Sequence, residues 1–204
     1  MEGITGMNLG LIIIDDFYDD PDSIRELALS YEYAQDGFSE GYKFGNAPWA
    51  GKMSINTHNP RWIDAKVSRI LGKNLCQMRN MDSGKFRLSP EGTVSKNVCH
   101  VDSIQKNYYA GVLYLNKDIV QPGTIFYTHK DTGMDRAIDS TQVINLLKHK
   151  DDQNLNQWNI NMVSYVTYNR LIVYPGNKFH SPGPSFGTGN DSRLVQIFTW
   201  EEII

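Results

Sequence analysis

The feature that most constrains the fold of this chain is a succession of short strand patterns in its C-terminal part. From about residue 84 onward, segments rich in β-branched and aromatic residues follow one another, with turn signals between them. Such a succession predicts a mainly β fold of the α+β class, built as an antiparallel sandwich or barrel. The segments are GKFRLS, TVSKNVCHV, YYAGVLYLN, GTIFYTH, VSYVTY, RLIVYP and RLVQIFTW, and the turn signals include SPEG, QPG, YPGN and SPGP.

The N-terminal part, about residues 1–83, has a different character and predicts an α/β support for these strands. LGLIIID at 9–15 has the pattern of a buried strand, and DDPDSIRELALSYEYA predicts an amphipathic helix that starts near Pro21. A second helix is indicated by Asn59 as N-cap, followed by proline, and by Gly72 as its end. We therefore expect one strand and two flanking helices before the β core.

Length and linkers indicate that residues 1–204 form one domain. The chain has 204 residues, which fits a single core, and no repeat or Pro/Gly/Ser-rich linker divides it. The β core would span about 84–204, with an insertion at about 130–160 in which Ser140 caps a short helix. We expect this insertion to be a surface excursion beside the mouth of the barrel.

Charge and cysteine content argue against several classes of function. The formal net charge is −3 and no basic stripe is present, which argues against nucleic acid as the main partner. Cys76 and Cys99 match neither a zinc pattern nor a disulfide framework, so free thiols and a cytoplasmic location are expected. The N-terminal residues show no targeting signal, and no run is long enough to cross a membrane.

Candidate metal ligands lie two residues apart in NVCHVDS. In an extended strand His100 and Asp102 would lie on one face, whereas Cys99 would lie on the other and pack in the core. A third ligand would have to come from elsewhere, and His180 follows the strong strand RLIVYP in a Gly- and Pro-rich turn. Two imidazoles and one carboxylate suit non-haem Fe(II) and leave open positions. Alternatively, His100 and Asp102 are an ordinary strand pair and His180 caps a turn, while His129, out of order for a ligand, is expected at the surface.

A candidate anion-binding residue follows on the last strand. Arg193 begins RLVQIFTW, whose inward face would line the barrel. A buried guanidinium is costly unless it meets an anion, and its planar fork pairs well with a carboxylate. The anion would be a cosubstrate, and a surface ion pair is the alternative.

The ordered set of His-x-Asp, a distal histidine and a following basic residue resembles that of the Fe(II)- and 2-oxoglutarate-dependent dioxygenases. YYAGVLYLNKD at 108–118, followed by PGT, is similar to the prolyl-hydroxylase-like branch, as is RLIVYPGNKFHSPGP at 170–184. The resemblance covers about residues 84–200. It implies a double-stranded β-helix, also called a jelly roll or cupin-like fold.

The resemblance also implies roles for individual residues. Arg193 would pair with the distal carboxylate of 2-oxoglutarate, and Tyr114 would donate its hydroxyl to the same carboxylate, unless it only packs in the core. Relatives often carry Ser or Thr near the basic residue, where Val195 and Ile197 stand in this chain. Related halogenases replace the metal-binding carboxylate with a small residue, so hydroxylation is favoured. The implied iron ligands are His100, Asp102 and His180.

Three functions from different classes remain open at this point. The first is an Fe(II)- and 2-oxoglutarate-dependent hydroxylase that uses O2 and acts on an amino acid, a peptide or protein side chain, or a small metabolite. The second is a non-catalytic cupin-like module that binds a metal or ligand. The third is a zinc hydrolase, for which no general base is evident beside the site. The substrate is not predictable, because residues 36–52 and 130–160 would form the mouth.

Overall fold

Two antiparallel sheets face each other, and three helices cover their outer sides. The computed structural model describes residues 10–35, 51–78, 82–93 and 99–203. The predicted mainly β architecture, a double-stranded β-helix with an N-terminal strand and flanking helices, is confirmed. In chain order the elements are β1 Ile12–Ile14, α1 Pro21–Ser30, β2 Tyr33–Gln35, β3 Lys52–Thr57, α2 Trp62–Leu71, β4 Leu75–Gln77, β5 Lys85–Ser89, β6 Tyr108–Tyr114, β7 Pro122–His129, α3 Ser140–His149, β8 Trp158–Tyr165, β9 Leu171–Pro175, β10 His180–Pro182 and β11 Arg193–Glu202.

The larger sheet has the strand order β1-β9-β6-β11-β5-β3-β2, with β4 also paired to β11. The smaller sheet has the order β10-β7-β8. Strand β11 lies between β6 and β5, and its residue Val195 is opposite both Tyr114 and Arg87. In the smaller sheet His180 is opposite Phe126, and Pro182 is opposite Thr124. These registers decide which side chains share the space between the sheets.

An apolar interior cluster fills the space between the two sheets. Alternate residues of the larger sheet point inward, since successive side chains of a strand face opposite sides. The smaller sheet contributes Phe126 to the same cluster. The buried members of the interior cluster are Tyr108, Ala110, Tyr114, Phe126, Val166, Ile172, Tyr174 and Val195.

The opposite face of the larger sheet packs against α1 and α2. Ala28 of α1 and Ile63 and Val67 of α2 are buried there beside strand residues such as Phe198 and Trp200. This outer cluster holds the larger sheet from behind. It leaves the inward face of the sheet available for the site.

The predicted insertion differs from expectation in one respect. A helix does start at Ser140, but Val143 and Leu146 of α3 are buried against Tyr127 and Trp158 of the smaller sheet. The helix therefore covers a sheet face and is not a surface excursion, because an amphipathic helix must bury its apolar side. Among the described residues, no helix is both long enough and apolar enough to span a membrane.

Both predicted N-terminal helices are present, but one boundary of each differs from the prediction. α1 begins at Pro21 but ends at Ser30, and the following residues form β2, which pairs with β3. α2 begins at Trp62, two residues later than the Asn59 cap and the proline after it predict. Its N-cap position is Arg61, which makes no side-chain capping hydrogen bond, whereas Gly72 ends the helix with a φ of 65° as expected.

Candidate metal centre

The two candidate histidines are held together by their own backbones. His100 N–H donates to the carbonyl of His180 at 2.9 Å, and His180 N–H donates to the carbonyl of His100 at 2.9 Å. Residues 94–98 of the predicted strand TVSKNVCHV lie outside the described residues, and residues 99–107 form no strand beyond this bridge. The bridge nevertheless places His100 beside the end of the smaller sheet.

The structure brings His100, Asp102 and His180 together, as the sequence predicts. One ligand atom from each lies within 4.8 Å of the other two. Asp102 Oδ2 is 3.4 Å from His180 Nε2, and Asp102 Oδ1 is 3.8 Å from His100 Nε2. A metal about 2.1 Å from each ligand holds neighbouring ligands about 3 Å apart, so small side-chain shifts would suffice. The set would occupy one face of an ion.

The orientation of His180 is fixed by the backbone. Its Nδ1 lies 2.9 Å from the carbonyl oxygen of Lys178, which can only accept a hydrogen bond. Nδ1 therefore carries the proton, and Nε2 presents a lone pair toward Asp102. Lys178 is itself fixed, because its buried ammonium donates to Asp135 Oδ2 at 2.9 Å. Such outer contacts orient the imidazole of a metal ligand.

The electrostatics of the triad suit a cation. Burial holds the pKa of His100 well below its usual value, with contributions from the neighbouring His180 and the positive charge of Arg87, so the His100 imidazole is neutral and able to ligate. Burial also raises the pKa of Asp102, which means that the carboxylate lacks solvation. Asp102 Oδ2 accepts no hydrogen bond from the residues that the structure describes. A divalent ion would supply the missing interaction, so the residues present fit a metal.

Arg193 lies on the inner face of β11, and the alternative of a surface ion pair does not hold. The side chain is 3% exposed, and its Nη2 donates to the carbonyl of Gly123 at 2.8 Å. Burial lowers the pKa of Arg193 to about 10, and no carboxylate of the described part of the chain compensates its charge. Its Nε has no hydrogen-bond partner there. A buried guanidinium without a charged partner is costly, and a bound anion would offset that cost.

Tyr114 lies beside this guanidinium. Its hydroxyl is 2.8 Å from Oγ1 of Thr124 on β7. Gly123 leaves the room that the phenol ring needs, because a Cβ there would lie 2.6 Å from Tyr114 Cζ. Strand β11 carries the apolar Val195 near Arg193, whereas the facing sheet carries the hydroxyl of Thr124. Thr124 was not predictable from the sequence, because threonine in GTIFYTH is an ordinary strand residue.

Strand β7 lies beside both Arg193 and the triad. Its residue Thr124 contacts Tyr114, and Phe126, two positions later, is opposite His180. Two strand residues span about 7 Å. The carboxylate carbons of 2-oxoglutarate are separated by four carbon–carbon bonds of about 1.5 Å each. A five-carbon dicarboxylate is therefore of the same order of length as the separation of Thr124 and Phe126 along β7.

Two further residues of the site were not predicted. The Tyr174 hydroxyl lies 3.1 Å from His180 Nε2, and the charge of Arg87 acts on the pKa of both His100 and Asp102. The strand pattern could have indicated that Tyr174 faces inward, because it follows Ile172 by two residues in RLIVYP and both belong to the interior cluster. Arg87 lies opposite Val195, in the middle of the sheet.

The prediction for His129 was wrong, whereas that for Cys99 is confirmed. His129 is 3% exposed, its Nδ1 is 3.0 Å from Thr132 Oγ1, and its ring packs 4.8 Å from Trp158. Because α3 covers this face of the smaller sheet, a histidine at the end of β7 is enclosed. Cys99 is buried in the cluster that α3 forms with Tyr127 and Trp158, and burial raises the pKa of its thiol.

Solved structures similar to this chain share its architecture. HygX from Streptomyces hygroscopicus, solved with nickel and 2-oxoglutarate bound, is 12% identical with a TM-score of 0.54, over 99% of this chain and 89% of HygX. SnoK, a non-heme α-ketoglutarate-dependent carbocyclase from nogalamycin biosynthesis, is 12% identical with a TM-score of 0.53, over 95% and 79%. A Pseudomonas putida prolyl-4-hydroxylase is 14% identical with a TM-score of 0.48, over 95% and 93%.

The chain therefore has the double-stranded β-helix fold of the Fe(II)- and 2-oxoglutarate-dependent oxygenases, which confirms the resemblance at the level of the fold. A family model described as a family of unknown function, DUF6445, matches residues 4–184, and the chain belongs to that family. No curated protein matches the chain in sequence.

Proposed function

We propose that this protein is an Fe(II)- and 2-oxoglutarate-dependent oxygenase that hydroxylates an amino acid, a peptide or protein side chain, or a small metabolite. One observation carries the proposal. Between the sheets, the His-Asp-His triad and the buried Arg193 both lie beside strand β7, Arg193 through the carbonyl of Gly123 and the triad through His180, which pairs with Phe126. No carboxylate of the described residues compensates the charge of Arg193. A structural metal site does not require a buried arginine beside it. The fold of the similar structures supports the same conclusion.

Two separate groups of residues would act on the two ends of 2-oxoglutarate. At the triad, His100, Asp102 and His180 would hold Fe(II) through three positions and leave the others open. Bound iron supplies the redox chemistry that activates O2 while 2-oxoglutarate is decarboxylated to succinate. Because Asp102 provides a third protein ligand, no protein position is left for a halide, and hydroxylation is the expected outcome.

At the other end, the guanidinium of Arg193 would bind the distal carboxylate of 2-oxoglutarate. The hydroxyls of Tyr114 and Thr124 would complete the binding of that carboxylate, and the apolar side chain of Val195 would exclude water. Hydrogen bonds to a charged group in a buried site are about twice as strong as neutral ones. This end fixes the cosubstrate, and the triad end carries out the chemistry.

Two other functions use the same triad. A non-catalytic binding module would bind metal and 2-oxoglutarate without turnover. A zinc hydrolase would need a general base, but no carboxylate of the described segments other than Asp102 pairs with either histidine. The zinc hydrolase leaves the buried Arg193 without a role, whereas the binding module differs from the oxygenase only in the absence of turnover.

Succinate release separates the three functions. Purified protein with Fe(II), 2-oxoglutarate and O2 should form succinate, and the rate should rise when the right compound is added from a panel of amino acids, peptides and nucleosides. Asp102→Ala should abolish succinate formation. Binding of 2-oxoglutarate without succinate, across the whole panel, would instead favour the binding module. Activity that needs zinc but not O2 would favour the hydrolase.

A further inference from the structure

A hydrogen bond in the site occupies the nitrogen that a metal would use. Since His180 Nδ1 donates to the carbonyl of Lys178, Nε2 is the nitrogen with the free lone pair. The Tyr174 hydroxyl lies 3.1 Å from this Nε2 and must be the donor. The Tyr174 hydroxyl and His180 Nε2 therefore serve as hydrogen-bond donor and acceptor for each other.

Tyr174 is held firmly in this position. It lies on β9, between β1 and β6, where Ala110 is its partner in register. Its ring is 3% exposed and makes edge contacts with Phe126 at 5.0 Å and His180 at 4.8 Å. Because His180 Nε2 can only accept, the Tyr174 hydroxyl directs its proton at that nitrogen. The side chain is therefore a permanent donor that has no access to bulk water.

Metal binding would remove the acceptor of this donor. The single lone pair of Nε2 cannot serve a metal and a hydroxyl together. A buried hydroxyl without a partner is costly, so Tyr174 must find another oxygen nearby. Its ring touches His180 at the triad, and it belongs to the same interior cluster as Tyr114 beside Arg193. Tyr174 thus lies along the path between the two ends of the proposed cosubstrate site.

We propose that Tyr174 is a positioning residue with two acceptors: it holds Nε2 of His180 while the metal is absent, and it donates to the metal-side end of 2-oxoglutarate once both are bound. The inference rests on the proposed function, because it requires a metal at the triad and 2-oxoglutarate beside it. It predicts opposite effects of one substitution on two ligands. Removal of the hydroxyl should strengthen metal binding and weaken 2-oxoglutarate binding.

The test uses Tyr174→Phe, with Co(II) as the metal probe and titrations made in two steps. Co(II) alone should bind about fivefold tighter to Tyr174→Phe than to wild type, because no hydrogen bond to Nε2 has to be broken. 2-Oxoglutarate should then bind the Co(II)-loaded variant about fivefold to tenfold more weakly. The visible Co(II) spectrum on addition of 2-oxoglutarate should also differ between the two proteins.

Tyr18→Phe is the matched control. Tyr18 is also buried, and its hydroxyl donates to Gln196 Oε1 at 2.7 Å, but it belongs to the outer cluster on the far side of the larger sheet. Both affinities should stay within about twofold of wild type in this variant. A general loss of packing would move both affinities of both variants in the same direction and would overturn the inference.

Other outcomes are equally decisive. If Co(II) binds Tyr174→Phe no tighter than wild type, or 2-oxoglutarate binds it equally well, the two-acceptor role is wrong while the proposed function stands. If wild type binds no Co(II), the proposed function itself fails. Should Tyr174→Phe not fold, the nitrogen resonance of His180 Nε2 in ¹⁵N-histidine-labelled wild type reports the same hydrogen bond. A resonance typical of an unbonded nitrogen in metal-free protein would contradict it.

Discussion

The Oδ2 atom of Asp102 is buried and accepts no hydrogen bond within the described residues, and burial raises the pKa of this carboxyl. A divalent cation would relieve this cost. We therefore expect Asp102→Ala or His180→Ala to weaken Fe(II) binding by about 100-fold or more, since even groups outside the ligand set change affinity by about 10- to 100-fold. Anaerobic titration measures this. His149→Ala is the control, because His149 is exposed, and equal affinity in all variants would refute the site.

Substitution of Arg193 tests the binding of 2-oxoglutarate separately from the binding of the metal. Arg193→Ala should retain Fe(II) but weaken 2-oxoglutarate binding by about 2–5 kcal/mol, because the carboxylate would be buried without its charged partner. Arg193→Lys should restore only part of the affinity, since an ammonium lacks the planar fork. Calorimetric titration of the metal-loaded variants gives both values. Unchanged affinity in Arg193→Ala would show that the anion binds elsewhere.

Tyr114 tests whether the hydroxyl groups serve the same carboxylate as Arg193. Tyr114→Phe should weaken 2-oxoglutarate binding by about 1.5–3 kcal/mol, the range for a hydrogen bond to a charged group. The double variant with Arg193→Ala should lose less than the sum of the single losses. Tyr18→Phe is the matched control, because it also removes one buried hydroxyl, which donates to Gln196 on the far side of the larger sheet. Strict additivity would mean that Tyr114 only packs.

Site residues were predictable from sequence where their chemistry and order along the chain are unusual. His100, Asp102 and His180 form a ligand set, and Arg193 is a charge on an apolar strand, so each stands out. Thr124 and Tyr174 do not, because hydroxyl-bearing residues are common in strands and their roles arise only from contacts between the two sheets. That these residues bind iron and 2-oxoglutarate stays a prediction.

At the scale of elements, the loop before α3 stabilises the short strand β10. Asp135 accepts from Lys178, whose carbonyl orients His180, and from Arg136. Burial favours the protonated acid, but these two cations outweigh it and lower the pKa of Asp135 to about 2.

The stabilising contribution of Asp135 should therefore depend on pH. Its pKa is lower in the folded protein than the usual 3.8, so the contribution is complete above about pH 4 and is lost as the pH falls toward 2. Asp135→Asn should lower the free energy of unfolding at pH 7 by about 1 kcal/mol or less, with the difference vanishing near pH 2. Chemical denaturation at several pH values measures this. Asp191→Asn, at an exposed pair with Arg25, should show little pH-dependent difference.

Elements with strong patterns were predicted, and short or polar ones were not. The strands β6, β7, β9 and β11 are long or apolar, so their patterns reveal them. β2, β4 and β10 have three residues each, too few to show alternation, and β3 has the mostly polar sequence KMSINT. Their existence depends on partners distant in the chain, such as β7 for β10.

For the molecule as a whole, the proposed metal should add stability by mass action. An ion that binds only the folded state stabilises it by about 2.7 kcal/mol at 100 times its Kd. For a chain of this size we expect the Tm to rise by about 5–10 °C with Co(II) at that concentration. Thermal unfolding with and without the ion measures the shift. Asp102→Ala should show almost none, and a similar shift in that variant would place the ion elsewhere.

The backbone bridge between His100 and His180 consists of two main-chain hydrogen bonds and uses no side-chain atom. In a zinc finger the ion has to arrive before the chain can fold. A bridge made by the main chain has no such requirement, so we expect this protein to fold before it binds metal. Under the proposed function, a cell short of iron would accumulate folded, inactive molecules that become active when the supply returns.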